Sequence, residues 1–224
     1  MPSRRSEGRA DRILDAAGDL LMRLGYRKVT VDDIARASGV GKGTVYLHWR
    51  TKEELFEALL RREYVELISE LLERLAADPG LAQPHRFSRM SFVATCRRPL
   101  LLAVSTGDRE IIGAMAKGPL HAQDTVAADQ YFDCLLRHGL LRDDVPGLAE
   151  TLHHTSYGFF LPDPSGAPTD VEARADGLAH VVRHAFEPPR KPRQSALVAA
   201  AAELRALFGA LLDAYQKAIY PDGG

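Results

Sequence analysis

The sequence predicts an all-α protein with an N-terminal helix-turn-helix head of three helices and a larger helical body, about nine or ten helices altogether. Two observations carry this. Apolar residues recur at helical spacing almost throughout, as in Ile13, Leu14, Ala17, Leu20, Leu21 and Leu24 and again in Leu55, Leu59, Leu60, Leu67, Leu71 and Leu75, with no sustained period-two alternation. Breaks fall at glycine and proline clusters, including Gly25, Gly39 to Gly43, Asp78-Pro79-Gly80, Gly118-Pro119 and Pro162 to Pro168.

The elements follow in order. A first amphipathic helix runs to Leu24. Thr30, with Asp33 three residues on, opens a short helix over Val31 to Ser38, because its hydroxyl can accept a first-turn amide while the carboxylate sits at the positive helix end. Gly39 permits the tight left-handed turn that a third helix, about Lys42 to His48, requires. Thr51 and Glu54 repeat the capping pattern ahead of a long helix from Lys52 to about Ala77. The segment "EPPRKPRQS" reads as a stiff basic connector before a last helix, Ala196 to Ile219. Residues 1–55 are expected to form the head and residues 56–224 the body.

Composition narrows the function. The 224 residues are enough for a sizeable core, and two distant cysteines, Cys96 and Cys134, form no CxxC pair, which points to free thiols in a reducing compartment. The polar, basic start lacks a signal-peptide h-region, and the longest apolar run, Pro99 to Val104, is too short to span a bilayer, so a soluble cytoplasmic protein without a membrane partner is expected. The net charge of -1 conceals an asymmetry: Met1 to Arg62 holds 13 Lys+Arg against 9 Asp+Glu, and the remainder 16 against 21. No Gly-rich phosphate loop, G-x-S-x-G elbow or paired-carboxylate signature appears, so neither an enzyme nor a cofactor is expected.

The stretch "VGKGTVYLHWRTKEEL" carries the reading chemistry. Ile34, Ala35, Val40 and Val45 are expected to lock the two short helices, leaving Gly43 bare for close backbone approach. Thr30 and Lys42, at the helix starts, are also candidate DNA contacts. Thr44, Tyr46 and His48 are expected to be exposed on the side opposite Val45; Thr44 suits a base edge or thymine methyl, and Tyr46, His48 and Lys52 suit phosphate oxygens. Singly, each has a structural alternative: Tyr46 as a packing aromatic and Lys42 as a solvated charge.

The segment from about Asp11 to Leu60, "ILDAAGDLLMRLGYRKVTVDDIARASGVGKGTVYLHWRTKEELFEALL", resembles the DNA-binding head of the tetracycline-repressor (TetR) family. Two positions depart from its pattern: Trp49, where phenylalanine is usual, keeps an aromatic plug, and Gly41, where serine is frequent, either loosens the helix start or costs a hydroxyl contact to phosphate. The resemblance implies a homodimeric regulator, a repressor that grips a palindromic operator in double-stranded DNA and is released by a small apolar or amphipathic effector acting through the long fourth helix. A regulator without a ligand, or an activator governed by a protein partner, is the alternative. It also implies an interface of the last two long helices, here drawing on Leu178, Val182, Leu204, Leu207, Phe208 and Leu211.

For the effector, polar groups within apolar stretches nominate Phe92, Cys96, Met115, Phe132, His153, His154, Tyr157 and Phe160, with "HHTSYGFF" the densest group; ordinary core or interface roles compete at every one. His180 and His184 share a helical face, but no third ligand lies near them in sequence, so no metal site is expected.

Overall fold

A computed structural model describes residues 4–112, 120–163 and 170–220. Among the described residues there are eleven α-helices, one 3-10 turn at Pro79–Ala82, and no strand: α1 (Arg4–Leu24), α2 (Val31–Ser38), α3 (Lys42–His48), α4 (Lys52–Ala77), α5 (Pro84–Cys96), α6 (Pro99–Thr106), α7 (Arg109–Ile112), α8 (Leu120–Arg137), α9 (Leu148–Phe160), α10 (Val171–Ala185) and α11 (Gln194–Ile219). The candidate Met115 and the breaks at Gly118-Pro119 and Pro164 to Pro168 lie outside the described residues.

The chain forms two compact units, and the division differs from the contiguous split after residue 55. The first unit takes residues 1–66, 99–121 and 213–224; the second takes 67–98 and 122–212. Long-range hydrogen bonds explain why α7 and the end of α11 join the first unit. The Tyr26 amide donates to the Glu110 and Ile111 carbonyls at 3.2 and 3.1 Å, and the buried Trp49 Nε1 donates to the Ile219 carbonyl at 3.1 Å. Tyr215 packs its ring 5.9 Å from that of Tyr64, and the Tyr220 hydroxyl bonds Asp11. Gly25, at φ 74°, makes the α7 contact possible, since a Cβ there would lie 2.4 Å from the Glu110 carbonyl oxygen.

The second unit has its own core, built from Leu75, Phe92, Val93, Leu135, Leu178, Val182 and Leu204 among others. Within it α5 packs on α10, and Glu187, buried at 4%, accepts from the His85 amide, the His85 ring and Arg183 at 2.6–2.7 Å, so its charge is compensated.

This core corrects part of the expected interface. Leu178, Val182 and Leu204 are 1%, 0% and 0% exposed and belong to the core of the single chain, so they are not available to a partner. Leu207, Phe208 and Leu211 are half-buried, Phe208 stacking on Phe87 at 5.7 Å. The apolar-run reading also missed a feature: α11 is long and apolar enough, by length and composition, to cross a bilayer, with 22% of its most apolar window buried within the chain. Scattered alanines and few charges produce this without any long uninterrupted apolar run.

Candidate nucleic-acid interface

Four local devices fix α3. At the start of α2, Thr30 accepts from the Asp33 amide at 3.2 Å while the Asp33 carboxylate receives the Thr30 amide and hydroxyl at 3.2 and 2.6 Å, a reciprocal capping box. Those bonds hold Asp33 below the ordinary carboxylate range. At its end Gly39 sits at φ 69°, ψ 31°, and the next amide, Val40, returns to the Ala35 carbonyl at 3.0 Å. Beyond α3, Trp49 is 1% exposed and plugs the corner. At the start of α4 the Thr51 hydroxyl accepts from the Glu54 amide at 3.1 Å, and the Glu54 carboxylate accepts from the Arg50 amide at 2.7 Å.

With its ends fixed, α3 presents its residues by simple rotation of about 100° each. Val45 is the buried position, at 1%. Two steps away in either direction, about 200° around, lie Gly43 and Leu47, and one step away lies Tyr46. Leu47 is accordingly 75% exposed and Tyr46 43%, and a Cβ on Gly43 would meet nothing within 4 Å. His48 is three steps on, only about 60° from Val45, and the structure corrects its expected exposure: it is half-buried with its ring 5.4 Å from Trp49. Burial pushes its pKa below the ordinary histidine value, so at neutral pH it is an uncharged imidazole. Thr44 is half-buried as well.

The expected cations separate into two kinds. Lys42 is exposed and paired with Asp32 at 2.9 Å, which raises its pKa, a surface pair easily exchanged for a phosphate. Lys52 is held from within: its Nζ donates to the Tyr26 carbonyl at 2.5 Å and lies 4.2 Å from the centre of the Tyr26 ring. Desolvation lowers its pKa. Tyr26 in turn donates to Glu53 at 2.8 Å and meets Phe56 edge-on at 5.3 Å, its phenol pushed upward by burial and that carboxylate. Lys52 thus ties the α1–α2 loop to the start of α4. Gly41 makes no side-chain capping bond, as the missing hydroxyl implies.

Sequence reasoning missed Leu47, although counting rotation from Val45 finds it. It also omitted Arg27, Lys28 and Arg50, all exposed cations of the first unit.

The described effector candidates divide into two groups: Phe92, Cys96, Phe132 and Phe160 belong to or pack against the core of the second unit, while three others are exposed. Phe92 is buried and packs against Phe160 at 4.7 Å; Phe132 is half-buried, edge-on to Tyr131 at 5.5 Å. Cys96 is half-buried, its thiol pushed up by burial. His153, His154 and Tyr157, by contrast, lie on an exposed face of α9. Two described clefts of the second unit, of about 930 Å³ and 300 Å³, are lined by other residues.

A capped two-helix corner that presents a short third helix is a helix-turn-helix. Residues 13–59 match the family of bacterial regulatory proteins, tetR family. The match runs from α1 through the first turns of α4. The chain is 27% identical over 201 residues to the HTH-type transcriptional regulator SrpR of Pseudomonas putida, covering 83% of this chain and 89% of that one. Over 122 residues it is 31% identical to an uncharacterised HTH-type transcriptional regulator of Mycobacterium tuberculosis, covering 53% of this chain and spanning 59% of that relative's length. The TetR family protein CprB from S. coelicolor shares the fold, with a TM-score of 0.51, 24% identity, and coverage of 90% of this chain and 98% of that one.

Proposed function

We propose that the protein is a homodimeric transcriptional repressor of the cytoplasm that binds a palindromic operator through α3 and is released by a small apolar or amphipathic molecule. The observation that carries the DNA reading is the outward face of α3, where Gly43, Tyr46 and Leu47 stand on a seven-residue helix fixed at both ends. Gly43 admits a close backbone, Leu47 suits a thymine methyl, and the Tyr46 hydroxyl and Lys42 suit phosphates. The homodimer is supported by α11, whose apolar surface is only partly used inside one chain and includes Val198 at 49% exposure. For the effector, the half-buried rings of Phe132, Phe159 and Phe160, each packed against the core of the second unit, support an apolar rather than a charged molecule.

Selection of bound duplexes from a random pool, followed by fluorescence anisotropy on the winning sequence, tests the reading. A single palindromic consensus bound at least about a thousandfold more tightly than random duplex is expected. Equal affinity for both refutes it. A released effector must bind free protein better than operator-bound protein by the factor with which it weakens DNA binding.

A further inference from the structure

The second unit brings together three side chains that no stretch of the sequence groups. Cys134 lies on the last turn of α8, and His138 follows one turn later, its amide still donating to the Cys134 carbonyl at 3.1 Å. Glu203 comes from α11. One ligand atom from each, the Cys134 sulfur, a His138 ring nitrogen and a Glu203 carboxylate oxygen, lie within 4.8 Å of one another. His138 Nε2 is already 3.0 Å from Glu203 Oε2, and the Cys134 sulfur is 3.9 Å from the Ala200 carbonyl, one turn before Glu203 on the same helix.

We propose that Cys134, His138 and Glu203 form a zinc-class divalent metal site that joins α8 to α11. The donor set is the argument for the ion: one thiolate, one imidazole and one carboxylate are the ligands zinc takes in tetrahedral sites, whereas magnesium and calcium select oxygen alone. Spacing agrees. Zinc bonds of about 2.3 Å to sulfur and about 2.0–2.1 Å to nitrogen or oxygen place neighbouring ligand atoms roughly 3.5 Å apart. The nitrogen–oxygen pair is near that separation, and side-chain rotation closes the rest. Burial is graded suitably, with Cys134 at 1% exposure and the His138 and Glu203 side chains at 22% and 40%, so the ion enters from the rim and meets the sulfur last.

Arg137 also bonds Glu203, through Oε1, and this leaves Oε2 for the metal, so the carboxylate bridges guanidinium and ion. Uptake balances simply. Cys134 enters as a thiol and binds as a thiolate, its proton passing to solvent; His138 binds as neutral imidazole, and water completes the fourth position. Zinc affinity therefore rises with pH. No stretch of sequence announces the site, because Cys134 and His138 alone make an ordinary i, i+4 pair and Glu203 lies 65 residues beyond His138.

The full chain is titrated with cobalt(II), whose thiolate-to-metal absorption reports a bound sulfur, and the bound cobalt is then displaced with zinc. One cobalt per chain with that absorption is expected, lost in Cys134→Ser, retained in Cys96→Ser, and displaced stoichiometrically by zinc. His138→Gln and Glu203→Gln each weaken cobalt binding by more than about tenfold, with far-ultraviolet circular dichroism unchanged. If Cys134→Ser does not fold, these two rim variants decide the matter. Absence of the absorption in the unmodified chain, its survival in Cys134→Ser, its loss in Cys96→Ser, or undiminished affinity in both rim variants overturns the proposal.

Discussion

Replacing Trp49 with phenylalanine isolates the bond that joins the α3–α4 corner to the end of α11. Trp49 is the single tryptophan of the chain, 1% exposed, with Nε1 donating to the Ile219 carbonyl at 3.1 Å. Two losses add. The smaller ring forfeits about 40 Å² of buried apolar surface, or about 1 kcal/mol. The Ile219 carbonyl loses its donor in a buried setting, which costs about 1–3 kcal/mol more. The expected destabilisation is about 2–4 kcal/mol, and it separates into its parts if the same substitution is made in a chain ending at Lys217, where no Ile219 carbonyl remains. There it should cost only the area contribution of about 1 kcal/mol. Guanidinium unfolding followed by far-ultraviolet circular dichroism measures both, since the variant has no tryptophan to fluoresce. A cost below about 0.5 kcal/mol in the full chain, or an equal cost in both chains, refutes the claim that this hydrogen bond closes the first unit.

Leu47→Ala should leave the unfolding midpoint unchanged within about 0.5 kcal/mol, because Leu47 is 75% exposed, yet weaken binding to the selected duplex by tenfold or more (about 1.4 kcal/mol), as anisotropy would read. Lys52→Ala should do the reverse: losing the Tyr26 carbonyl bond and ring contact costs about 1–2 kcal/mol of stability, while the salt slope of DNA binding stays within half a unit. A slope flattened by about one unit would return Lys52 to the phosphate role. For the α2 cap, Asp33's folded pKa is depressed, so its contribution is complete above the unfolded value of about 3.9 and is lost as pH falls through the folded value. Thr30→Ala should therefore lower the thermal midpoint at pH 7 and flatten its decline below pH 4. Leu211→Glu should convert the dimer to monomer in light scattering at micromolar concentration; an unchanged mass would remove α11 from the interface.

The head was legible because its instructions are local. Thr30 with Asp33, Gly39, and Thr51 with Glu54 act within four residues of themselves, and the bounds of α2, α3 and the whole of α4 fall where those caps place them. Exposure around α3 is less legible: an alternating pattern puts His48 opposite Val45, whereas three helical steps return it almost to the same side. The inward hold on Lys52 is illegible for a different reason. Its partner is a backbone carbonyl 26 residues earlier, and nothing in the composition of a lysine distinguishes a free cation from one folded back over a tyrosine ring.

For the body, the difficulty lies in α11. Its leucines and alanines cover so much of its circumference that periodicity alone cannot assign Leu204 to a core and Leu211 to a surface; only the packing of other helices around Leu204 makes that division. The same helix carries Glu203 toward Cys134 and His138, and further along turns Tyr215 and Ile219 into the first unit. A helix that serves two units must be apolar on different sides at different heights, and such a sequence reads as uniformly apolar when it is averaged along its length. This is why α11 meets the length and composition of a bilayer-spanning helix while its residues are divided among core, interface candidates and the closure of the head. The first unit is discontinuous in sequence for the same physical reason: the groups that complete Trp49 and Tyr26 are backbone carbonyls of Ile219, Glu110 and Ile111, and a carbonyl has no residue type by which a sequence could announce it.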